Sequence, residues 1–461
     1  MKRILSLILV LTCFFSLTAC GKDAEPTEPY VPPVQGGYFQ ETEPVIEETE
    51  PVQETTAPAV EETEPITEPE SPVEETEPVV EETEPPVIEL GFIEEMRQLH
   101  EGNEIYFKYN TLNDAQKEVY LLACEAIDSG TKTFFLGDIK MTTDDVQPVL
   151  RAVWYDHPEY FWMKTGGHAM NSMGQHVVSV EMAYYPELMD KFETNKIAFQ
   201  RIVDALIERA TEKTSILDQE RLIHDYLCKS AIYEETALDQ SAWSCLVDRK
   251  TVCAGYTRAF QILMNELGVP CYMVIGDMVT EEKTERHAWN IVKLVDSFYA
   301  VDITSNDCDE KNCVLYNKYN FMYSTFPGQY VIDEECLDYP ECNDTRYSFK
   351  NIYGIDENVA SAMSFADSEV VIYSLAEYKV YHEKICRNKG FGEWEVKYVI
   401  VGESTLQDVM NYLQEQAYMD TYIMDIAKFN NMTTFTLQEG LSRVEFDNAY
   451  GITHTVNLSG S

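Results

Sequence analysis

A run of 70 residues near the N-terminus, from Gly21 to Leu90, limits how much of the chain can fold. It holds 21 acidic residues against one lysine, and 13 of the 19 prolines of the whole chain. Such a segment cannot bury enough apolar surface to offset the entropy lost on ordering. We therefore expect residues 20–90 to form a disordered acidic tether. Its five-residue unit Glu-Glu-Thr-Glu-Pro recurs four times, beginning at Glu47, Glu61, Glu74 and Glu81.

The charge of the chain excludes some classes of partner. The net charge is −46, and residues 91–461, which follow the tether, still carry −28. Phosphate groups would be repelled, so neither nucleic acid nor electrostatic docking on an anionic membrane fits this chain. A basic or neutral substrate surface fits it better. With 45% hydrophobic residues, the part outside the tether can still build sizeable cores.

The first twenty residues have the pattern of an export signal. Two basic residues precede an apolar run from Ile4 to Leu17 that is too short to span a membrane and stop there. Small residues then precede a cysteine in Leu17-Thr18-Ala19-Cys20. This motif resembles the lipobox of bacterial lipoproteins, which implies a signal peptide over residues 1–19 and a diacylglycerol on Cys20. The expected location is the extracellular face of the bacterial cell membrane, with the lipid on Cys20 as the only membrane contact. A plain signal peptide or short anchor with an incidental Cys20 is the alternative.

The remaining residues divide into three predicted blocks, 91–199, 200–345 and 346–461, of which the first and last are expected to be α+β domains. Capping pairs and alternating apolar residues predict the elements of the two flanking blocks. These are helices opening at 111–114 and 142–145, a strand over 176–185, a strand over 394–401, a helix over 405–429 and strands near 433 and 452.

A cysteine, a histidine and an aspartate follow one another in the central block. Cys253 lies at or just before the start of a helix that ends near Gly268, and a helix N-terminus favours a thiolate over a thiol. Gly255 is expected to let a substrate backbone come close. His287 lies early and Asp302 late in a predicted β-hairpin. A thiol nucleophile needs a base and an acceptor that orients the base, and these three residues could supply all three groups.

The turn of this hairpin decides whether His287 and Asp302 can meet. A two-residue turn at Asp296-Ser297 would place Asp302 opposite Ile291, too far along the strand from His287. The pair therefore requires a bulge, or a turn that begins earlier, near Leu294.

The run from about Ile216 to Asp302 resembles the transglutaminase-like, papain-related core in the form common in bacterial exported proteins. Residue types, order and spacing all match in five motifs: His224-Asp225-Tyr226-Leu227, Val252-Cys253-Ala254-Gly255-Tyr256, Gly268-Val269-Pro270, His287-Ala288-Trp289-Asn290 and Val301-Asp302. The resemblance implies an α+β core over 200–345, in which a helix carrying the cysteine packs on an antiparallel sheet carrying the histidine and the aspartate. It implies Cys253 as nucleophile, His287 as general base and then acid, and Asp302 as the residue that orients His287.

The chain departs from the family pattern after the aspartate. Many relatives continue with a tryptophan, which the run from Ile303 to Asp307 lacks. The side-chain donor to the oxyanion is also open, with Tyr233, Gln240 and Trp243 as candidates beside the backbone N–H of Cys253.

Other candidate residues are more typical of structural roles. His157 could be catalytic, but a packed or surface histidine beside a proline turn is the better interpretation. Cys245 and Cys271 fit buried thiols, and two pairs are close enough in sequence for local disulfides, Cys308 with Cys313 and Cys336 with Cys342. Metal-binding and phosphate-binding motifs are absent from the sequence, so we predict neither a metal nor an organic cofactor.

The functional hypothesis is an exported thiol enzyme that acts on amide bonds through an acyl-enzyme. Hydrolysis by a cysteine peptidase or amidase and acyl transfer by a transglutaminase both remain open. The expected substrate is a protein or peptide, with cell-wall peptides among the candidates. Two alternatives are a non-catalytic surface module that binds through the same cleft and an adhesin that attaches itself through Cys253.

Overall fold

The computed structural model describes residues 8–9, 91–308, 313–389, 392–414 and 435–460. Within these ranges helices combine with mainly antiparallel sheets, which confirms the α+β prediction. Ile8–Leu9 form the first strand, β1. Cys20, the tether and the rest of the predicted signal peptide lie outside the described residues. In the ranges that are described, every helix is too short or too polar to cross a membrane.

The first block packs helices against a small antiparallel sheet. Its elements are α1 (Phe92–His100), α2 (Phe107–Thr111), α3 (Asp114–Asp128), β2 (Thr133–Phe135), α4 (Thr143–Asp156), β3 (Ala169–Met173), β4 (His176–Glu181), α5 (Pro186–Met189) and α6 (Phe192–Thr211). The strand order is β2-β4-β3. A capping box opens α4 at Thr142 with Asp145, as the sequence predicted; the box that opens α3 is Asn113 with Gln116, so this helix begins at Asp114 and its cap lies two residues after the predicted Thr111.

The central block places one long helix against a four-stranded antiparallel sheet. Its elements are α7 (Ile216–Ser230), β5 (Ile232–Tyr233), a π-helical turn (Ser244–Asp248), β6 (Lys250–Thr251), α8 (Cys253–Glu266), β7 (Cys271–Val279), β8 (Thr284–Leu294), β9 (Ser297–Val301), α9 (Ile303–Asn306), β10 (Asp307–Cys308), β11 (Cys313–Val314), β12 (Tyr330–Ile332) and two 3₁₀ turns (Tyr323–Thr325 and Glu334–Cys336). The sheet has the order β12-β7-β8-β9, and α8 packs on β7 and β8.

The last block has its own sheet, in the order β1-β15-β16-β14-β13. Its elements are α10 (Phe349–Tyr353), α11 (Glu357–Ala366), β13 (Val371–Ile372), α12 (Leu375–Lys389), β14 (Gly392–Val401), α13 (Glu403–Gln414), β15 (Phe435–Phe446) and β16 (Ala449–Gly460). The strand predicted over 394–401 lies within β14. The helix predicted over 405–429 is present as α13 up to Gln414, and residues 415–429 lie outside the described residues.

One hydrophobic core runs through the first two blocks and also includes Phe349 and Ala360 of the last block. It extends from Tyr109 to Ala360, and α6 crosses the predicted boundary at 199/200 without a break. The last block contributes most of two further clusters, one around Tyr398 and one around Val399. The first block therefore helps to build the core that supports the central helix α8.

A buried arginine fastens α8 to α4. Arg258, 1% exposed, donates from Nη1 to the Trp154 carbonyl at 2.9 Å and from Nη2 to the His157 carbonyl at 3.1 Å. Its guanidinium also lies 4.7 Å from the centre of the Trp154 ring. These contacts satisfy carbonyls at the end of α4 that the helix itself leaves unpaired. The helix that begins with Cys253 is thereby held by the first block.

The cysteine pairs differ in their geometry. Cys308 and Cys313 lie directly opposite each other on β10 and β11. Cys336 and Cys342 are separate buried thiols, and Cys336 Sγ instead lies 3.6 Å from the Tyr155 hydroxyl. The disulfide that their spacing in the sequence would allow is therefore not formed.

Candidate active site

Cys253 is the first residue of α8. The residue before it, Val252, has an extended backbone (φ −112°, ψ −175°) and provides no side-chain cap. The first N–H groups of the helix and the positive end of its dipole therefore lie next to the thiol, where they favour a thiolate. Of the nine cysteines whose side chains the structure describes, Cys253 is the one that is not buried. It is thus the thiol that a substrate can reach.

Gly255 has a packing role rather than the predicted role beside a substrate. A side chain at this position would collide with the hydroxyl of Thr251 and approach that of Ser244. These two hydroxyls are hydrogen-bonded to each other at 2.6 Å in the buried turn before α8. Glycine is required because the turn packs against the helix at this point, so the interpretation of Gly255 as a substrate contact is wrong.

The hairpin of β8 and β9 has the turn that the histidine and the aspartate require. Leu294 pairs with Ser297 and Asn290 with Val301, so the two-residue turn lies at Val295-Asp296. Val295 has φ 57°, a conformation that β-branched residues rarely adopt. The turn begins one residue before the two-residue turn at Asp296-Ser297 considered from the sequence, as the contact between His287 and Asp302 required. Asp302 follows the last paired residue of β9.

His287 and Asp302 meet in the interior. His287 Nε2 lies 2.9 Å from Asp302 Oδ2; the imidazole is 6% exposed and the carboxylate is fully buried. Burial lowers the pKa of His287, but the charge and hydrogen bond of Asp302, together with Cys253, raise this pKa to about 10. Because Nε2 is bonded to Asp302, Nδ1 is the ring nitrogen left to face Cys253. The structure therefore brings the three predicted residues together.

Asp302 is held by donors that the sequence analysis missed. The Ser305 N–H donates to Oδ1 at 3.0 Å, and the Ser305 hydroxyl donates to Oδ2 at 2.6 Å. The Tyr330 hydroxyl donates to Oδ2 at 2.7 Å. Burial raises the pKa of Asp302, but His287 and Ser305 lower this pKa to about 2. Asp302 is thus a carboxylate at neutral pH.

A buried lysine lies behind this carboxylate. The Lys318 ammonium donates to Gln329 Oε1 at 2.9 Å and faces the rings of Phe326, Tyr330 and Phe321. Burial lowers the pKa of Lys318 to about 7, although the charge of Asp302 acts in the opposite direction. The electrostatic surroundings of the triad therefore include a buried lysine, with a pKa near neutrality, that no local motif predicts.

The three candidate donors to the oxyanion are placed differently. Trp243 Nε1 donates to Asp248 Oδ1 at 3.1 Å, and Gln240 Nε2 donates to Asp239 Oδ1 at 3.1 Å. Tyr233 lies within electrostatic reach of Cys253, because burial and the charge of Cys253 are the two largest causes that raise the pKa of Tyr233 to about 12. Tyr233 therefore lies near enough to Cys253 for the charge of the thiolate to act on its hydroxyl.

A second cluster of thiol, imidazole and carboxylate lies in the first block, where its thiol and both imidazoles are buried and its carboxylate is partly exposed. His157 Nδ1 lies 2.5 Å from Glu159 Oε1, and His157 Nε2 lies 3.0 Å from His100 Nε2 and 3.5 Å from Cys124 Sγ. His100, Cys124 and His157 are at most 1% exposed. A substrate cannot reach the thiol or the imidazoles, so His157 is a packed core histidine, as predicted.

The Transglutaminase-like superfamily model matches residues 200–303, which contain Cys253, His287 and Asp302. Residues 200–303 form a transglutaminase-like domain. A TGase of known crystal structure is 17% identical to this chain; the match covers 36% of this chain and 49% of that protein, with a TM-score of 0.22. A candidate protease from Parabacteroides distasonis is 8% identical, covers 64% of this chain and 57% of its own, and has a TM-score of 0.19. The chain spans about half the length of these two proteins, and no curated protein matches it.

The histidine–aspartate pair of the transglutaminase-like domain predicts a characteristic dependence of stability on pH. The lowered pKa of Asp302, about 2, gives stability that is present above about pH 4 and lost as the pH falls through 2. The raised pKa of His287, about 10, gives stability that is present below about pH 6.5 and lost as the pH rises through 10. Both contributions are fully present between about pH 4 and pH 6.5. In that range we expect Asp302→Asn to lower the free energy of unfolding by about 2 kcal/mol, and outside it by less.

The measurement is urea unfolding of both proteins between pH 3 and pH 10. Asp277→Asn is the matched control, because that carboxylate is paired with Arg286 at 3.0 Å on an exposed surface and is expected to contribute at most about 0.5 kcal/mol. A difference between wild type and Asp302→Asn that stays constant over this pH range would contradict the assigned charges.

Proposed function

We propose that this protein is an exported, lipid-anchored thiol enzyme that acts on amide bonds through an acyl-enzyme on Cys253. The observation that carries the proposal is the buried contact of 2.9 Å between His287 and Asp302, next to an accessible thiol at a helix N-terminus. The match of residues 200–303 to the Transglutaminase-like superfamily supports the same class of chemistry. Export and lipidation of Cys20 are proposed from the sequence pattern of residues 1–20.

In the first half-reaction the Cys253 thiolate attacks the carbonyl carbon of an amide, and the carbonyl oxygen becomes an oxyanion. The backbone N–H of Cys253, which its helix does not use, and the Tyr233 hydroxyl are the proposed donors to this oxygen. The protonated His287 then gives its proton to the leaving nitrogen. The C–N bond breaks, ammonia or an amine departs, and a thioester on Cys253 remains.

In the second half-reaction neutral His287 takes a proton from the incoming nucleophile. Water then gives a carboxylic acid, and a primary amine gives a new amide; in both cases the Cys253 thiolate is restored. Asp302 stabilises the imidazolium and fixes its orientation without accepting the proton. Proteins and peptides are the proposed substrates, with cell-wall peptides among them, and water is slightly favoured as acceptor.

The test uses the full-length protein with a glutamine-containing peptide, in the presence and absence of a fluorescent primary amine. A cell-wall stem peptide is tested in parallel. We expect release of ammonia or an amine and a transient acyl adduct on Cys253, detected by intact mass. A free acid as product would identify a hydrolase, and labelled peptide a transglutaminase. Unchanged substrates and an absent adduct, together with peptide binding that survives Cys253→Ala, would favour the non-catalytic binding module instead.

A further inference from the structure

Four donors surround the carboxylate of Asp302. Oδ1 accepts the Ser305 N–H, and Oδ2 accepts His287 Nε2, the Ser305 hydroxyl and the Tyr330 hydroxyl at 2.9, 2.6 and 2.7 Å. Three donors on one carboxylate oxygen fix its direction and divide its negative charge between them. The strength of the contact with His287 therefore depends on the other two donors.

These two donors come from different parts of the chain. Ser305 lies in α9, whose N-terminus Asp302 itself caps, so its contact is local. Tyr330 begins β12, the strand at the edge of the sheet, where its backbone pairs with Met278 of β7. A strand 28 residues beyond the aspartate thus supplies a donor to it.

The Tyr330 ring also supports the histidine side of the pair. Its centre lies 4.9 Å from that of Trp289 in an edge-to-face contact, and Trp289 stacks on His287 with 5.9 Å between ring centres and 22° between planes. Burial and the charge of Asp302 raise the pKa of Tyr330 well above its ordinary value, so the hydroxyl keeps its proton and acts as a donor.

We infer that Tyr330 is a positioning residue of the triad, which directs Asp302 Oδ2 towards His287 Nε2 and moderates how strongly the carboxylate stabilises the imidazolium. The inference rests on the proposed function of Cys253, His287 and Asp302. Loss of the Tyr330 hydroxyl leaves Asp302 a stronger acceptor for His287, and His287 then keeps its proton to higher pH.

The test is the rate at which iodoacetate alkylates Cys253 in the full-length protein between pH 4 and pH 11, followed by peptide mass spectrometry. Iodoacetate is an anion, so its reaction is faster while His287 is protonated, and the rate falls as that proton is lost. With Tyr330→Phe we expect this alkaline fall to move up by about half a pH unit, with a plateau rate lower by about threefold because Asp302 is less well oriented. Ser305→Ala, which removes another donor to Oδ2, should move it in the same direction.

The matched control is Tyr155→Phe. Tyr155 donates to the carboxylate of Glu335 at 2.9 Å, so this variant also loses a bond between a tyrosine and a carboxylate, but one outside the triad. Its profile should equal that of the wild type. A purely structural role of Tyr330 would lower the plateau without moving the alkaline fall.

Two outcomes separate the inference from the function on which it rests. If Tyr330→Phe and Ser305→Ala keep the wild-type alkaline fall while His287→Ala removes it, the inference is overturned and the proposed function stands. If His287→Ala has the wild-type profile, both are overturned. Ser305→Ala keeps the ring contacts of Tyr330 with Trp289 and of Trp289 with His287. It therefore still tests the inference if Tyr330→Phe does not fold.

Discussion

Cys253→Ala is expected to lower the rate of amide turnover by at least about a thousandfold. The thiolate forms the covalent bond in the proposed reaction, and an alanine leaves the oxyanion donors and His287 without a nucleophile to assist. The measurement is the initial rate of ammonia or amine release by the full-length protein. The change should have a small effect on stability, because the Cys253 side chain is only partly buried against the core and lies at the first position of α8.

Cys245→Ala is the control for this change. Cys245 lies eight residues earlier in the π-helical turn and is 1% exposed, so its thiol cannot meet a substrate. We expect a rate within about twofold of the wild type, provided that the protein remains folded at the assay temperature. A Cys253→Ala protein that retains more than about a tenth of the wild-type rate would contradict the assignment of Cys253 as nucleophile.

His287→Ala is expected to lower turnover by about a hundredfold to ten-thousandfold at pH 7. The imidazole has two tasks, since it protonates the leaving nitrogen and later takes a proton from the water or amine. Its loss also removes the cation that stabilises the Cys253 thiolate. The measurement is the same release assay, extended from pH 5 to pH 9, where the variant should gain activity steadily with pH as the unassisted thiol ionises.

The exposed His176 on β4 provides the control for the loss of an imidazole. His176→Ala should keep the wild-type rate and pH profile within about twofold, because its side chain lies on the surface of the first block. A His287→Ala protein with more than a third of the wild-type rate at pH 7 would show that this histidine does not act in the reaction.

The elements that carry Cys253 and His287 could be predicted because their signals are local. The apolar face of α8, ending at Gly268, gives a 3.6-residue period, and the alternation after His287 gives a period of two. A turn that begins near Leu294 could be deduced, because the position of the turn sets which residue of β8 lies opposite each residue of β9. A turn one residue later would leave Asp302 too far from His287. The structure meets this requirement with Val295 in a left-handed conformation.

The support around the site could not be predicted, because its residues come from distant parts of the chain. Tyr330 and Lys318 are brought into place by the packing of an edge strand and a loop. Arg258 lies on α8 itself, but its partners Trp154 and His157 belong to the first block. Ser305 is the exception, since an aspartate followed three residues later by a serine is compatible with a helix cap, a local pattern that could have been recognised. Gly255 was misinterpreted because a glycine beside a nucleophile has the same appearance in the sequence whether a substrate or a neighbouring turn approaches it.

The most direct test of the central claim is the pH dependence of Cys253 alkylation by iodoacetamide, compared between the wild-type protein and His287→Ala. The neutral reagent reports the thiolate fraction, and peptide mass spectrometry separates Cys253 from the other cysteines. If the three residues form a triad, wild-type Cys253 reacts well below pH 8, and His287→Ala lowers its rate at pH 6 by about tenfold. If Cys253 ionises normally, near pH 8.5, in both proteins, then His287 does not activate it, and the protein is not the proposed thiol enzyme.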